Sequence, residues 1–443
     1  MDQYLLIVKM DQYPLIAIIY LLTGLIVFIG TLTNSMVGLF SIIISMFFLY
    51  PQIYIFGAYV KIVDVTTLSS ILAWISQMFV QGKLKVSRSP FNIAIFIFIV
   101  SIMVSAIGAV SPSKSIVELL QVVGWVGCYF FFANNVSSVI QGQRLILSIL
   151  WMAVIQVLLG LFQILTNTGG LFIEGGMPRM VGTLGPYLPT YILSGIIVGL
   201  GLISYGAQRG KYFILTMLLI FGLILVQTRT VWISFLFGFI AFIFVKQHSL
   251  KIKLALNIGI ILLILLMFIG LVHFVPAYWF TLDARGITTL YTRFYLWQSA
   301  LIMWSANPIN GIGIGNFGLS YVDVAFDKFG KTITELFLLH GLSETIDAHS
   351  TFLTYLAETG LMGAGAYLYV ILIGIIMSYR TFKRYKNAFN LSLFIYMAVT
   401  IIAIFYSEPP GGHSGHLQWI IMGLITAASN WNKTCQDNRS DTK

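Results

Sequence analysis

Charged residues are scarce in this chain: only 9% of its 443 residues are Asp, Glu, Lys or Arg, whereas 58% are hydrophobic. A soluble globular protein carries far more charge, so the composition excludes a soluble multidomain protein. Cysteine is scarcer still, and Cys128 and Cys435 match no metal-binding or disulfide spacing. The chain also lacks the short alternating segments of a transmembrane β-barrel. Its N-terminus lacks a basic segment followed by a short apolar core, so we expect no cleaved signal peptide.

Long apolar runs are abundant, and many are long enough to cross about 30 Å of hydrocarbon. The mean hydropathy is +0.92. We therefore predict an all-α polytopic membrane protein that forms one integral membrane domain over residues 1–443. Two or three spans precede residue 82, with Pro14 and Pro51 expected as breaks between them, which gives about twelve or thirteen spans in total. From residue 91 onward, the predicted spans cover about 91–111, 116–137, 147–166, 188–207, 212–227, 230–246, 253–275, 360–379, 387–406 and 414–430.

The net charge of +10 does not indicate nucleic-acid binding, because the basic residues are grouped in short segments between the predicted spans. With the spans above, every basic cluster from Lys83 onward falls on one side of the membrane. The positive-inside bias assigns that side to the cytoplasm. We therefore expect no nucleic-acid partner and a chain whose natural surroundings are the lipid bilayer.

A long polar segment, residues 276–359, interrupts the hydrophobic pattern on the opposite side of the membrane. It contains Arg285, Arg293, the glycine-rich run 311–317 and His349. Polar segments of this length between spans are usually functional. Arg179 and Arg229 are predicted to lie on the same side, against the positive-inside bias, which favours a role in binding an anion. We predict that 276–359 is an extracytoplasmic catalytic loop.

Each of these features also has a structural explanation. Arg229 lies in a short turn and can reach lipid phosphates. Arg293 begins a periodic stretch typical of an interfacial amphipathic helix. The run 311–317 resembles a phosphate-binding loop, but the preceding Asn307-Pro308 favours a structural turn. His349 precedes apolar residues at helical spacing, so it is either the cap of the next helix, the simpler interpretation, or a base that activates a hydroxyl.

The motifs taken together resemble the O-antigen ligase and O-antigen polymerase superfamily of bacterial envelope glycosyltransferases. The similarity rests on Gln227-Thr228-Arg229-Thr230, on Arg293 followed by Asn307-Pro308 and three spaced glycines, and on His349 leading to Glu358 and Gly360-Leu361. Arg179-Met180-Val181-Gly182-Thr183 precedes them, and the order and spacing agree over roughly residues 170–365. Two positions depart from the family pattern, which usually has Ser where Thr228 stands and often Asn where Ser350 stands.

The resemblance implies a glycosyltransferase type C-like fold in the bacterial cytoplasmic (inner) membrane, with the active site on the extracytoplasmic side. Such enzymes transfer a glycan from undecaprenyl diphosphate to an acceptor hydroxyl. Guanidinium groups can hold the diphosphate leaving group without a metal, which suits Arg229 and Arg293, with Arg179 and Arg285 as further candidates. A histidine, with a usual pKa of about 6.5, can accept the hydroxyl proton, which suits His349.

Two acidic residues complete the candidate site: Asp347 either orients the imidazole of His349 or is an acid at a helix start, and Glu358 is a candidate substrate-binding residue. We expect no cofactor and no metal site, since neither Asp323 with Asp327 nor His413 with His416 is a strong ligand pattern.

The favoured function is polymerisation of surface polysaccharide repeat units, with ligation of O-antigen to lipid A core as the close alternative. The expected partners are the lipid-linked glycan donor and a glycan or lipid-linked acceptor, with chain-length regulator and flippase proteins as further candidates. A transporter is the alternative from another class. It would require ionisable residues near the bilayer midplane, where only Asp64 and Glu118 are candidates.

Overall fold

The computed structural model describes residues 7–9, 14–49, 51–55, 58–82, 86–168, 172–174, 177–226, 228–245, 286–329, 346–406 and 413–440. Within these ranges almost all regular structure is helical, as predicted. The helices are α1 Pro14–Thr33, α2 Ser35–Ser45, α3 Ile62–Val80, α4 Pro90–Ile107, α5 Pro112–Asn135, α6 Val139–Thr166, α7 Leu188–Tyr205, α8 Arg209–Leu225, α9 Arg229–Val245, α10 Gly286–Ala306, α11 Phe317–Phe329, α12 Thr351–Arg384, α13 Ala388–Ala403 and α14 His413–Ser440.

The helices agree with the predicted membrane spans. Nine of the ten spans predicted from residue 91 onward coincide with a helix, and the tenth, 253–275, lies outside the described residues. Among the described helices, seven are long and apolar enough to cross a membrane, which confirms a polytopic all-α protein. α2, α9 and α13 are shorter apolar helices. The total of twelve or thirteen spans stays a prediction.

Short strands lie between some of the helices. β1 (Ile7–Lys9) pairs in parallel with β2 (Gln52–Ile55), which is antiparallel to β3 (Ala58–Val60). β4 (Phe172–Glu174) and β5 (Met177–Arg179) form an antiparallel pair in which Phe172 is opposite Arg179. Of the two prolines expected as breaks between the N-terminal spans, Pro14 is the first residue of α1, and Pro51 lies just before β2.

Burial differs widely among the spanning helices. α7 is the most deeply buried of them, whereas α1 exposes large apolar side chains such as Leu21 and Ile26. Exposed apolar surface of this extent on a helix is expected where the neighbour is lipid. Small residues allow α7 to pack closely: a Cβ atom at Gly199 would lie 2.1 Å from Oγ1 of Thr216 on α8.

The polar segment predicted as a catalytic loop, 276–359, holds two helices in its described part, α10 and α11, and ends inside α12. α12 is interrupted at Gly360, whose φ of 61° and ψ of −164° are not helical. A Cβ atom there would lie 2.1 Å from the carbonyl oxygen of Ile309, so only glycine fits. The N–H of Leu361 donates to the carbonyl of Pro308 at 2.9 Å. The chain around 308–310 is thereby held against the interruption in α12.

Candidate functional site

The glycine-rich run is a structural turn, as the preceding Asn307-Pro308 suggested. Gly311, Gly313 and Gly315 have φ values of 70°, 97° and 77°, which other residues rarely adopt. The N–H of Ile312 donates to the carbonyl of Ala357 at 3.0 Å, and that of Gly313 to the carbonyl of Glu358 at 2.9 Å. These backbone groups bind α12, so they are already occupied by the protein.

The other side of this turn is fixed to the connection between α4 and α5. The amide oxygen of Asn316 accepts the N–H of Ser111 at 2.7 Å, and its amide nitrogen donates to Oγ of Ser115 at 2.8 Å. The Ser115 hydroxyl in turn donates to the carbonyl of Ile314 at 2.8 Å. Asn316 is fully buried. The turn therefore joins α12 to the α4–α5 connection.

Glu358 takes part in this scaffold. Its side chain is 6% exposed, and Oε1 accepts the N–H of Phe317, the first residue of α11, at 2.9 Å. A carboxyl oxygen at a helix N-terminus satisfies an N–H that has no partner within the helix. Glu358 does not line the pocket described next. Glu358 therefore packs inside the protein and caps α11. Substrate binding by Glu358 stays a prediction.

A pocket of about 180 Å³ lies where several helix ends meet. Its walls come from the segment before and at the start of α7, from the starts of α9 and α12, from Arg293 on α10, and from α13 and α14. Thr228 and Thr230, on either side of Arg229, and Thr351, two residues after His349, line it. The structure therefore brings three of the predicted motifs to one pocket.

Arg293 is the only charged side chain among the described residues that line this pocket. Its guanidinium donates to the carbonyl of Tyr406 at 3.3 Å. The Tyr406 hydroxyl forms a short hydrogen bond with the hydroxyl of Ser234 on α9. Burial raises the pKa of the Tyr406 phenol, which keeps it protonated. Tyr406 thus links Arg293 to α9, the helix that begins at Arg229.

His349 is not the cap of the following helix, so that interpretation was wrong. The cap of α12 is Ser350, whose hydroxyl accepts the N–H of Leu353 at 3.3 Å. His349 precedes the cap with a φ of 47°, an uncommon left-handed conformation for a residue other than glycine. Ser and Asn are both favourable caps, so Ser350 can replace the Asn that the family often has here.

Asp347 shapes the backbone at His349. Its Oδ1 accepts the N–H of His349 at 2.5 Å, an Asx-type turn. The same oxygen lies 3.9 Å from Nδ1 of the imidazole, beyond hydrogen-bonding distance. Both side chains are partly exposed. Asp347 thus holds the backbone of His349 in place, and orientation of the ring by Asp347 stays a prediction.

The turn after α13 connects the two halves of the candidate site. The carbonyl of Ile404 accepts the N–H of Phe352 at 2.9 Å and the hydroxyl of Ser350 at 3.4 Å. Two residues later, the carbonyl of Tyr406 accepts from Arg293. One short segment therefore contacts both Arg293 and the residues directly after His349, which places these two predicted residues at the same site.

The other predicted arginines are less completely described. The backbone of Arg229 begins α9 between two threonines that line the pocket, and Arg179 ends β5. Arg285 lies outside the described residues. Within the described ranges, no three His, Cys, Asp or Glu side chains come together in a group that could hold a metal.

Several lining residues were missed in the sequence because they lie inside predicted spans. They are neutral and polar: Tyr367 on α12, Tyr396 and Thr400 on α13, and Gln418 on α14. Gln418 could have been predicted as a functional residue because it lies within an apolar span, where an amide is costly without a partner.

A second polar group lies at the starts of α3 and α14. Nε2 of His416, which is 2% exposed, lies 3.4 Å from Oδ1 of Asp64. Oδ2 of Asp64 accepts the N–H of Lys61 at 2.8 Å. Burial lowers the pKa of the Lys61 ammonium, while the charges of Asp64 and Glu118 act in the opposite direction. Asp64 lies in the first turn of α3, so this polar group is at a helix end.

Comparison with known families agrees with this site. Residues 214–368 match the family model described as O-antigen ligase. The match supports the O-antigen ligase and polymerase superfamily that the motifs predicted, and that family implies a glycosyltransferase-like enzymatic role. The matched region runs from α8 into α12 and includes Arg229, Arg293 and His349. A search of curated proteins gave no match.

Proposed function

We propose that this protein polymerises surface polysaccharide by transferring a glycan from undecaprenyl diphosphate to an acceptor hydroxyl at the extracytoplasmic face of the bacterial inner membrane. The observation that carries the proposal is the pocket in which Arg293 meets the threonines beside Arg229 and the residue two positions after His349. A permanently charged guanidinium and a partly exposed histidine held by the same short segment suit a reaction that releases a diphosphate and takes up a proton.

In the proposed reaction, the acceptor oxygen attacks the anomeric carbon of the donor glycan, and the bond from that carbon to the diphosphate oxygen breaks. Undecaprenyl diphosphate leaves with the electron pair. Arg229 and Arg293 stabilise the negative charge that develops on it, with Arg179 and Arg285 as further phosphate ligands. His349 accepts the acceptor proton and later releases it to water. No oxidant, cofactor or metal enters this scheme.

Ligation of the finished glycan to lipid A core is the second candidate, because the matching family is described as O-antigen ligase. Transport is less well supported. Asp64 lies in the first turn of α3 and is paired with His416 and the backbone of Lys61, whereas transport sites usually lie near the bilayer midplane.

Deletion of the gene distinguishes these functions. Loss of a polymerase should leave lipid-linked glycans of a single repeat unit, and loss of a ligase should leave long glycans on undecaprenyl diphosphate. A transporter mutant should hold its lipid-linked glycan on the cytoplasmic side. Restoration of polymer by the wild-type gene, but not by an Arg293→Ala variant of equal abundance, is the expected result. Unchanged surface and lipid-linked glycans in the deletion strain would contradict the proposal.

A further inference from the structure

Four neutral polar side chains line the part of the pocket that lies between α12, α13 and α14, and we call them the polar floor: Tyr367, Tyr396, Thr400 and Gln418. Gln418 lies in the second turn of α14 and Thr400 in the last turn of α13. Tyr396 is about 10 Å from the end of α13, at 1.5 Å per residue. The polar floor therefore extends from the helix ends into the helical bundle.

Two members of the polar floor, Tyr367 and Gln418, are buried and hydrogen-bonded to each other. Tyr367 is 1% exposed and Gln418 is 5% exposed. The Tyr367 hydroxyl lies 3.0 Å from the amide oxygen of Gln418 and 2.8 Å from its amide nitrogen. The Tyr367 ring packs against Tyr355, with ring centroids 4.7 Å apart. These contacts hold the phenol of Tyr367 and the amide of Gln418 in place without a ligand.

The hydrogen bonds within the polar floor leave further capacity. A glutamine amide has two N–H donors and an oxygen with two lone pairs, and one tyrosine hydroxyl cannot satisfy all of them. Polar side chains inside an apolar bundle are costly unless they find partners. Because Gln418 and Tyr367 line an open pocket, a ligand can supply those partners.

The chemistry of the polar floor fits hydroxyl groups better than phosphate. Amide and phenol groups present donors and acceptors together, and sugar hydroxyls also donate and accept. A diphosphate has acceptors only and favours fixed positive charge, which on this pocket comes from Arg293 among the described lining residues. We propose that the polar floor binds the sugar joined to the diphosphate of the donor, with Gln418 and Tyr367 determining which sugar is accepted. This inference rests on the proposed function.

Two lipids separate sugar recognition from diphosphate recognition. They are undecaprenyl diphosphate and the lipid-linked glycan that accumulates when the gene is deleted. Binding of each is measured with the full-length protein in nanodiscs. For Tyr367→Phe and Gln418→Leu, we expect about tenfold weaker binding of the glycan-bearing lipid, the loss of one hydrogen bond, and unchanged binding of undecaprenyl diphosphate. Arg293→Ala should weaken both.

Tyr129→Phe is the matched control, because it removes another buried, hydrogen-bonded phenol, bound to Asn92 at 2.8 Å, that does not line the pocket. It should bind both lipids as the wild type does. If Tyr367→Phe and Gln418→Leu lose the same affinity for both lipids, or lose none for either, the sugar site is overturned while the proposed function stays intact. A wild-type protein that binds neither lipid would overturn both proposals.

Discussion

The side-chain Oε1 of Glu358 accepts the backbone N–H of Phe317 at 2.9 Å and so ties α12 to the first residue of α11. Because both groups are buried, this bond is protected from water. We expect Glu358→Ala to lower the free energy of unfolding by about 1–3 kcal/mol, since it leaves a buried N–H without its partner. Glu358→Gln keeps an acceptor oxygen and should lose less. Thermal unfolding in detergent measures both, and equal stability of Glu358→Ala and the wild type would show that the bond is dispensable.

Gly360 is expected to be indispensable for folding. A methyl group there would meet the Ile309 carbonyl, and the φ of 61° is unfavourable for alanine. Gly360→Ala should therefore reduce the amount of folded protein in the membrane severely. Gly365→Ala, five residues further along α12, is the matched control, because a Cβ atom at Gly365 has no neighbour within 4 Å. Membrane levels and size-exclusion profiles compare the two, and similar yields would show that the interruption in α12 can relax.

Arg293→Lys tests whether a bidentate guanidinium is needed. An ammonium keeps the charge but not the fork that matches a diphosphate, so we expect most glycan transfer to be lost while the protein still inserts and accumulates. The same result is expected for Arg229→Lys. The measurement is transfer from the purified lipid-linked donor. Full activity in either lysine variant would reduce that arginine to an interfacial anchor.

The fold was largely predictable because hydrophobic runs and helix-breaking residues are local signals. Pro14, for example, is expected as a break between N-terminal spans, and α1 begins there. The sequence led to Arg293 at the pocket and to the turn glycines, whereas the roles of the other predicted site residues stay predictions. The roles of Glu358 and Gln418 were not predictable, because a carboxyl group that caps a distant helix and an amide that faces a pocket look like ordinary residues until contacts between distant segments are known.

The predicted orientation can be tested with two alanines exposed at opposite predicted faces: Ala306, at the end of α10, and Ala207, between α7 and α8. In a background with Cys435→Ser and the buried Cys128 retained, a membrane-impermeant thiol reagent should label Ala306→Cys in intact spheroplasts. Ala207→Cys should react only after the membrane is opened. The opposite pattern would place the candidate site in the cytoplasm and refute the extracytoplasmic mechanism.

His349 can be tested as a base without disturbing its backbone. Asparagine tolerates the left-handed conformation that His349 adopts, so His349→Asn should fold normally, and the cap at Ser350 is untouched. The amide cannot take a proton near neutral pH. We therefore expect normal binding of undecaprenyl diphosphate and glycan transfer at least about 100-fold slower, the lower limit typical of general-base catalysis.

Ser350→Ala is the contrasting variant for His349→Asn. It removes the cap, so it should cost about 1 kcal/mol of stability while His349 keeps its imidazole. Transfer by Ser350→Ala should be reduced far less than transfer by His349→Asn when both are compared at equal amounts of folded protein. If His349→Asn transfers glycan at a near-normal rate, the imidazole is not the base, and Asp347 becomes the next candidate, since its carboxylate is partly exposed and lies 3.9 Å from Nδ1 of His349.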